Sequence, residues 1–123
     1  MPVFQLVTNV PRENIPDGFT ERAADIVAEQ LGTPRKAAVV MIRHQSIFRD
    51  GSDASRIVIR LACVDAFNDH VKNRTYSKAI IDFASKELGV PHDRIVMTME
   101  NQSPWEIGIP GGRLLGDRMR DAK

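Results

Sequence analysis

Cysteine is almost missing from this chain: Cys63 is the one cysteine in 123 residues. An internal disulfide is thereby excluded, and the chain needs no oxidising compartment to fold. Excess charge is missing too. The 17 basic and 16 acidic residues leave a formal charge of +1. That is little field to draw nucleic acid or an anionic membrane, and no run of Lys or Arg restores one. Apolar runs stay short of the roughly 18 residues that a membrane span needs. No cationic segment leading into an apolar stretch opens the chain. The expectation is a soluble, cytoplasmic protein made without a secretory signal, with no membrane or nucleic-acid partner. His44, His70 and His92 are scattered without metal-ligand spacing, so neither a metal nor a cofactor is expected. Gly111-Gly112 has no following Lys-Ser/Thr or helix pattern and does not read as a phosphate loop.

What is present is a repeat. Leu31-Gly32-Thr33-Pro34 returns as Leu88-Gly89-Val90-Pro91, and the flanks match at the same offset of 57 residues. Ile26 answers Phe83, Ala23 answers Ile80, Phe4 answers Leu61 and Val7 answers Val64. The chain therefore reads as two copies of one β-α-β unit. In the first copy Asp17 is the candidate N-cap. Phe19, Ala23, Ile26, Val27 and Leu31 form a helical stripe that Gly32 and Pro34 end. In the second, Tyr76, Ala79, Ile80, Phe83, Ala84 and Leu88 repeat the stripe, ended by Gly89 and Pro91. Strands are expected near 2–8, 38–44, 57–64 and 94–100, with a polar loop from Gln45 to Arg56.

One α+β domain over residues 1–123 follows, with repeat one at about 1–50, repeat two at about 51–108 and a mixed-charge tail at 109–123. Its two helices cover one face of a four-stranded sheet. The second and third strands are apolar on both sides, through Val39, Met41, Val40 and Ile42 and through Ile57, Ile59, Leu61, Val58, Ala62 and Val64. The uncovered face needs a partner, so a homo-oligomer is expected, with Arg43 and Arg60 near its interface or a wet central channel. The order β-α-β-β-α-β also describes RNA-binding domains. Their sheets carry exposed stacking aromatics in a basic setting, and the second and third strands here have none.

The chain opens Met-Pro, and Pro2 heads the apolar strand Val3-Phe4-Gln5-Leu6-Val7. Removal of Met1 would leave Pro2 a free secondary amine. Apolar surroundings disfavour an ammonium ion, which makes such an amine a candidate proton carrier at neutral pH. Retention of Met1 would make the nitrogen an amide and silence it.

Several separated motifs resemble the macrophage migration inhibitory factor family. They are Met1-Pro2-Val3-Phe4, Thr8-Asn9-Val10-Pro11, Ile15-Pro16-Asp17-Gly18-Phe19, Asn73-Arg74-Thr75-Tyr76-Ser77-Lys78 and Pro91-His92-Asp93-Arg94-Ile95. Ser85-Lys86-Glu87-Leu88 and Trp105-Glu106-Ile107-Gly108 are closer to its D-dopachrome tautomerase branch. The resemblance spans about residues 1–108. It implies a homotrimer with pockets between subunits, keto–enol tautomerisation of small aromatic keto acids or dopachrome-like substrates, and Pro2 as the catalytic base. It further implies a cytokine-like role, with a cell-surface receptor and secretion without a signal peptide.

The departures concentrate in the implied pocket. Thr33 stands where the family has a substrate-binding lysine, with Arg35 and Lys36 close by as candidate replacements or as ordinary solvated residues. Val64 stands where an isoleucine supplies a backbone contact to substrate, and Asp65 where the family has glycine. Val96 and Thr98 replace a tyrosine and an asparagine. Arg56 and Ile59 occupy a Cys-x-x-Cys, so no thiol–disulfide activity is carried over, and Cys63 reads as an inert core thiol. The substrate-binding expectation is Thr33, Val64 and Thr98. The family's C-terminal strand is not evident after Gly108. Trp105 fits a pocket rim by analogy and simple packing equally well. Three functional readings stay open: a tautomerase with a less cationic pocket, a receptor-binding protein with little turnover, and a decarboxylating D-dopachrome tautomerase.

Overall fold

Alternation of apolar residues shapes the first strand in the computed structural model, which describes residues 1–122. Strand β1 (Val3–Thr8) buries Phe4, Leu6 and Thr8 and turns Val3, Gln5 and Val7 to the other side. After it come helix α1 (Phe19–Leu31), β2 (Val39–His44), β3 (Ile57–Val64), helix α2 (His70–Leu88) and β4 (Ile95–Gln102). The four expected strands are within two residues of these bounds, the usual scatter of strand ends. Their order in the sheet is β2-β1-β3-β4. Strand β1 runs parallel to β2 and antiparallel to β3, and β3 runs parallel to β4. Each β-α-β repeat thus supplies one central and one edge strand, and the two repeats meet along β1 and β3.

Both long helices lie on one face of the sheet, as the two-repeat reading expects. The core joins Phe4, Leu6, Ile57, Ile59 and Leu61 from the sheet to Phe19, Ala23, Val27, Ile80, Ala84 and Leu88 from the helices. Full burial of the larger of these side chains stabilises the fold by about 1.5–3 kcal/mol each. Phe19 and Phe83 stack between the helices at a centroid distance of 5.4 Å. Above them Arg22 of α1 grips Glu87 of α2, with a shortest contact of 2.5 Å.

The helix ends differ from expectation in one place. Asp17 does not cap α1; Gly18, at φ 78 and ψ 5, occupies the cap without a side-chain hydrogen bond. Phe19 N–H donates to the Pro16 carbonyl at 3.2 Å. Pro16-Asp17-Gly18-Phe19 is therefore a type II turn, whose third position requires positive φ. Helix α2 begins six residues before the Tyr76 stripe, because the Asp69 carboxylate accepts from the N–H groups of Val71 and Lys72 at 2.9 and 3.4 Å. Gly32 and Gly89 end the two helices in the left-handed conformation, as the repeat predicts.

Among the described residues no helix covers the opposite face of the sheet. Val39, Met41 and Val96 are 39%, 44% and 50% exposed there. Arg60, expected near an interface, forms an ion pair with Glu100 of the neighbouring strand at 2.7 Å.

The tail holds more structure than the sequence reading gave it. Gly108–Ile109 (β5) pairs antiparallel with Arg113–Leu114 (β6), and a third helix, α3, spans Leu115–Asp121. Gly111 and Gly112, at φ 88 and 70, form the turn between the two short strands. The Asp117 carboxylate accepts from Leu114 N–H at 2.9 Å and fixes the start of α3. A single β-carbon on the buried Gly116 would lie 2.6 Å from the Trp105 ring, so the glycine is what lets the indole lie against α3. Trp105 remains 51% exposed.

Candidate active site at the amino end of the sheet

Pro2 is fully buried, whereas Met1 before it is 47% exposed. Strand pairing explains the difference. The Pro2 carbonyl accepts from Val39 N–H at 2.9 Å, and the next residue, Val3, pairs with Val39 on one side and Ala62 on the other. The proline ring therefore continues the Phe4–Leu6 row on the helix-covered face. Its peptide is held between β2 and the far end of β3.

The connection from α1 to β2 brings Thr33 to this same end. Gly32 turns the chain out of the helix, Thr33 N–H donates to the Ala28 carbonyl at 3.1 Å, and a 3-10 turn over Arg35–Ala37 leads into Val39. The Thr33 hydroxyl oxygen is buried and has no hydrogen-bond partner among the described residues. A buried hydroxyl of this kind costs free energy unless something accepts or donates to it. Of the two nearby cations, Arg35 is taken: its guanidinium pairs with Asp25 of α1. Lys36 is exposed and forms no ion pair among the described residues.

Val64 closes β3 at the same end, half-buried and opposite Gln102. Asp65 follows it at φ 50. This left-handed conformation costs a residue with a β-carbon free energy, although Asp tolerates it better than most. It is the position where the resemblance sets a glycine, and its positive φ is one that glycine adopts freely.

Sequence reading missed two asparagines that organise this end. Asn101, opposite Cys63 in the sheet, accepts from Phe67 N–H at 2.9 Å and donates to Asn68 Oδ1 at 2.8 Å. Asn73 donates to the Phe67 carbonyl at 2.9 Å, and its own Oδ1 is buried with no partner among the described residues. Together they pin the β3–α2 connection. Asn73 stood inside a quoted motif and so had a signal; Asn101 becomes visible only once the register of β3 and β4 is known.

Thr98 is not brought to this cluster. It pairs with Arg60, which pairs in turn with Gln5, and it lies exposed on the open face. From Pro2 it is about 10 Å along the strands and about 10 Å across them, on the opposite side of the sheet. Pro2, Thr33 and Val64 belong to the same end of the sheet by register and connection, with the Val64 side chain on the open face, whereas Thr98 lies further along β4.

That end carries the buried Pro2 ring, whose nitrogen would become a free amine on loss of Met1, and the Thr33 hydroxyl, which has no partner among the described residues. No disulfide partner exists for the buried Cys63. Perturbed titration lies elsewhere: Asp82 on α2 is held below the usual carboxylate range by a hydrogen bond from Lys78 and a second from His92.

Residues 1–114 match the sequence family described as Macrophage migration inhibitory factor (MIF). The chain is 32% identical over 114 residues to MIF-like protein mif-2 of Caenorhabditis elegans, covering 90% of this chain and 92% of that one. It is 28% identical over 112 residues to D-dopachrome decarboxylase-B of Xenopus laevis, covering 90% and 95% of the two chains. The fold superposes on the structure of the macrophage migration inhibitory factor from Trichinella spiralis with a TM-score of 0.83 at 23% identity, covering 91% and 98%.

Proposed function

The chain belongs to the macrophage migration inhibitory factor family, and from that premise we propose that it is a keto–enol tautomerase with Pro2 as its base. The observation that carries the reading is the burial of Pro2 at a strand end shared with the unpartnered hydroxyl of Thr33. After loss of Met1, the neutral Pro2 amine takes a proton from the carbon beside a substrate carbonyl. The C–H electron pair becomes the enol double bond, and the carbonyl oxygen gains negative charge. That oxygen needs a donor in an apolar setting; the Pro2 ammonium returns its proton to it, which completes the enol and restores the neutral amine. Thr33 hydrogen-bonds the substrate's carboxylate as a neutral donor, and Val64 offers the main-chain contact at the mouth. The substrate class is a small aromatic keto acid or a dopachrome-like compound.

The same reading includes a homotrimer. The open sheet face carries Val39, Met41 and Val96, and burial of such a face against further copies removes apolar surface from water. A neighbouring subunit is also the only route by which Thr98 could reach a Pro2. A cytokine-like role outside cells, with a receptor and export without a signal peptide, belongs to the proposal as its biological setting.

A specific observation favours a second reading. With Thr33 in place of a cation and Asp65 adding negative charge, the site offers an anion less than the family pattern does, which suits a receptor-binding protein with little turnover. A decarboxylating reaction is the third, since one relative bears the name D-dopachrome decarboxylase-B.

Phenylpyruvate enolisation decides between them. Protein shown by intact mass to have lost Met1 should turn over at least about 100-fold faster than Pro2→Gly, the lower range for a positioned proton-transfer group. No rate above that variant would overturn the enzyme reading, and D-dopachrome as substrate, with carbon dioxide measured, separates the third.

A further inference from the structure

On the tautomerase reading, in which the Val64 main chain contacts substrate, we infer that Asn101 is a positioning residue. Acting through Phe67, it sets the direction of the Val64–Asp65 peptide and thereby the hold on substrate. Nothing in that reading requires a residue of β4 on the helix-covered side of the sheet; the hydrogen bonds of the β3–α2 connection supply one.

Asp65 makes a brace necessary. It follows the last residue of β3 at φ 50, a conformation that a β-carbon disfavours and that persists only where the surroundings enforce it. Two anchors do so. Before it, Val64 is held in register with Gln102 of β4. After it, Phe67 is held through both its main-chain groups. Its N–H donates to Asn101 Oδ1 at 2.9 Å, and its carbonyl accepts from Asn73 Nδ2 at 2.9 Å. The Phe67 ring is buried too, edge-on to Tyr76 of α2 at a centroid distance of 6.1 Å. Asp65 and Ala66 alone separate the anchors, so the Val64–Asp65 peptide turns according to where Phe67 is fixed.

The Asn101 amide is itself oriented. Its Nδ2 donates to Asn68 Oδ1 at 2.8 Å, which leaves Oδ1 to accept from Phe67. One side chain of β4 therefore holds two residues of the β3–α2 connection, beside the turn at Asp65. Asn101 is exposed and lies opposite the buried Cys63, on the helix-covered side of the sheet. It is thus not part of the open face proposed to meet other subunits. A hydrogen bond from an exposed side chain exchanges readily with water and adds little to stability, so its loss should show in substrate binding more than in folding.

The split between KM and kcat in phenylpyruvate enolisation, with Met1 removed, separates positioning from structure. Asn101→Leu removes the acceptor for Phe67 N–H. It should raise KM about fivefold, within the range for one lost hydrogen bond, with kcat within about twofold of wild type because Pro2 is untouched. A merely structural role would instead lower the folded fraction, which reduces apparent kcat and leaves KM alone. Asn101→Asp keeps an acceptor for Phe67 N–H. It should restore KM on the uncharged methyl ester of phenylpyruvate, where the new charge has no substrate carboxylate to repel. Asn68→Ala frees the Asn101 amide to turn; it should raise KM about twofold and stands in if Asn101→Leu does not fold. Amide hydrogen exchange at Phe67 should be faster in Asn101→Leu than in wild type or Asn101→Asp. An unchanged KM in the folded variants, a fall in kcat alone, or no rescue by Asn101→Asp overturns the positioning role and leaves the tautomerase reading standing. Wild type no faster than Pro2→Gly overturns that reading and the positioning role with it.

Discussion

Two threonines sit at opposite ends of the same sheet, and their hydroxyls have opposite fates. Thr8 is 0% exposed; its hydroxyl donates to the Arg56 carbonyl at 2.7 Å and accepts from Val10 N–H at 3.1 Å. The Thr33 oxygen is buried with no partner among the described residues. The first is a structural rivet, because each of its hydrogen bonds ends on backbone that would otherwise be orphaned. The second makes no hydrogen bond among the described residues to offset its desolvation. A buried hydroxyl in that state is open to a water or a ligand.

The contrast can be broken most directly by removing both hydroxyls. Thr8→Val would strand a buried carbonyl and a buried N–H, each costing about 1–3 kcal/mol. A loss on the order of 2–4 kcal/mol is expected in denaturant unfolding. Thr33→Val should be within about 1 kcal/mol of wild type, since no protein hydrogen bond is lost. Equal losses would show that the Thr33 hydroxyl has a structural partner after all.

Charge at the Thr33 position sharpens the same comparison. Thr33→Lys should lower KM for phenylpyruvate by roughly tenfold, the lower range for adding a charged hydrogen bond. An unchanged KM would mean that another group, Lys36 first among them, already holds the carboxylate.

The smallest effect is expected where neither end of the sheet is involved. Asp82 accepts from Lys78 at 2.7 Å and contacts His92 Nε2 at 2.9 Å. Its folded-state pKa is lowered from the ordinary 3.8, first by Lys78 and then by His92. The unfolded chain therefore binds the proton more readily, so the stabilisation is present above that ordinary value. It is lost as pH falls through the lower, folded one. Asp82→Asn should lower the unfolding midpoint slightly at neutral pH and converge with wild type in acid. All three partners are exposed, so high salt should shrink the difference as well.

Much of this architecture was readable before any coordinates, for reasons that are local. The 57-residue repeat, the strand alternation and the glycine helix ends depend on neighbours in sequence. Helix stop signals at Gly32 and Gly89 need only positive φ. Where local signals competed, the reading slipped. Asp17 looked like a cap, but it is the second residue of a type II turn closed by Pro16 and Phe19. The paired glycines of the tail read only as lacking a phosphate-loop pattern, yet at positive φ they make the turn between β5 and β6 that leads into α3.

The candidate site divided along the same line. Pro2, Thr33 and Val64 stand at or beside element ends, and the two-repeat pattern sets those ends at one edge of the sheet; their joint action on a substrate belongs to the proposal. Thr98 belongs to the other side of the sheet within one chain, a fact that follows from strand register and not from spacing. Asn101 was invisible for the same reason, since its partner Phe67 is 34 residues away.

The sequence by itself determined the two β-α-β units, the family and a proline able to become a free amine, because these rest on order and periodicity. Tertiary structure alone decided which hydroxyl is satisfied and which is not, and which carboxylate Arg60 and Arg35 pair with. Those outcomes depend on buried polar groups meeting across the sheet, where a shift of one residue in register exchanges every partner.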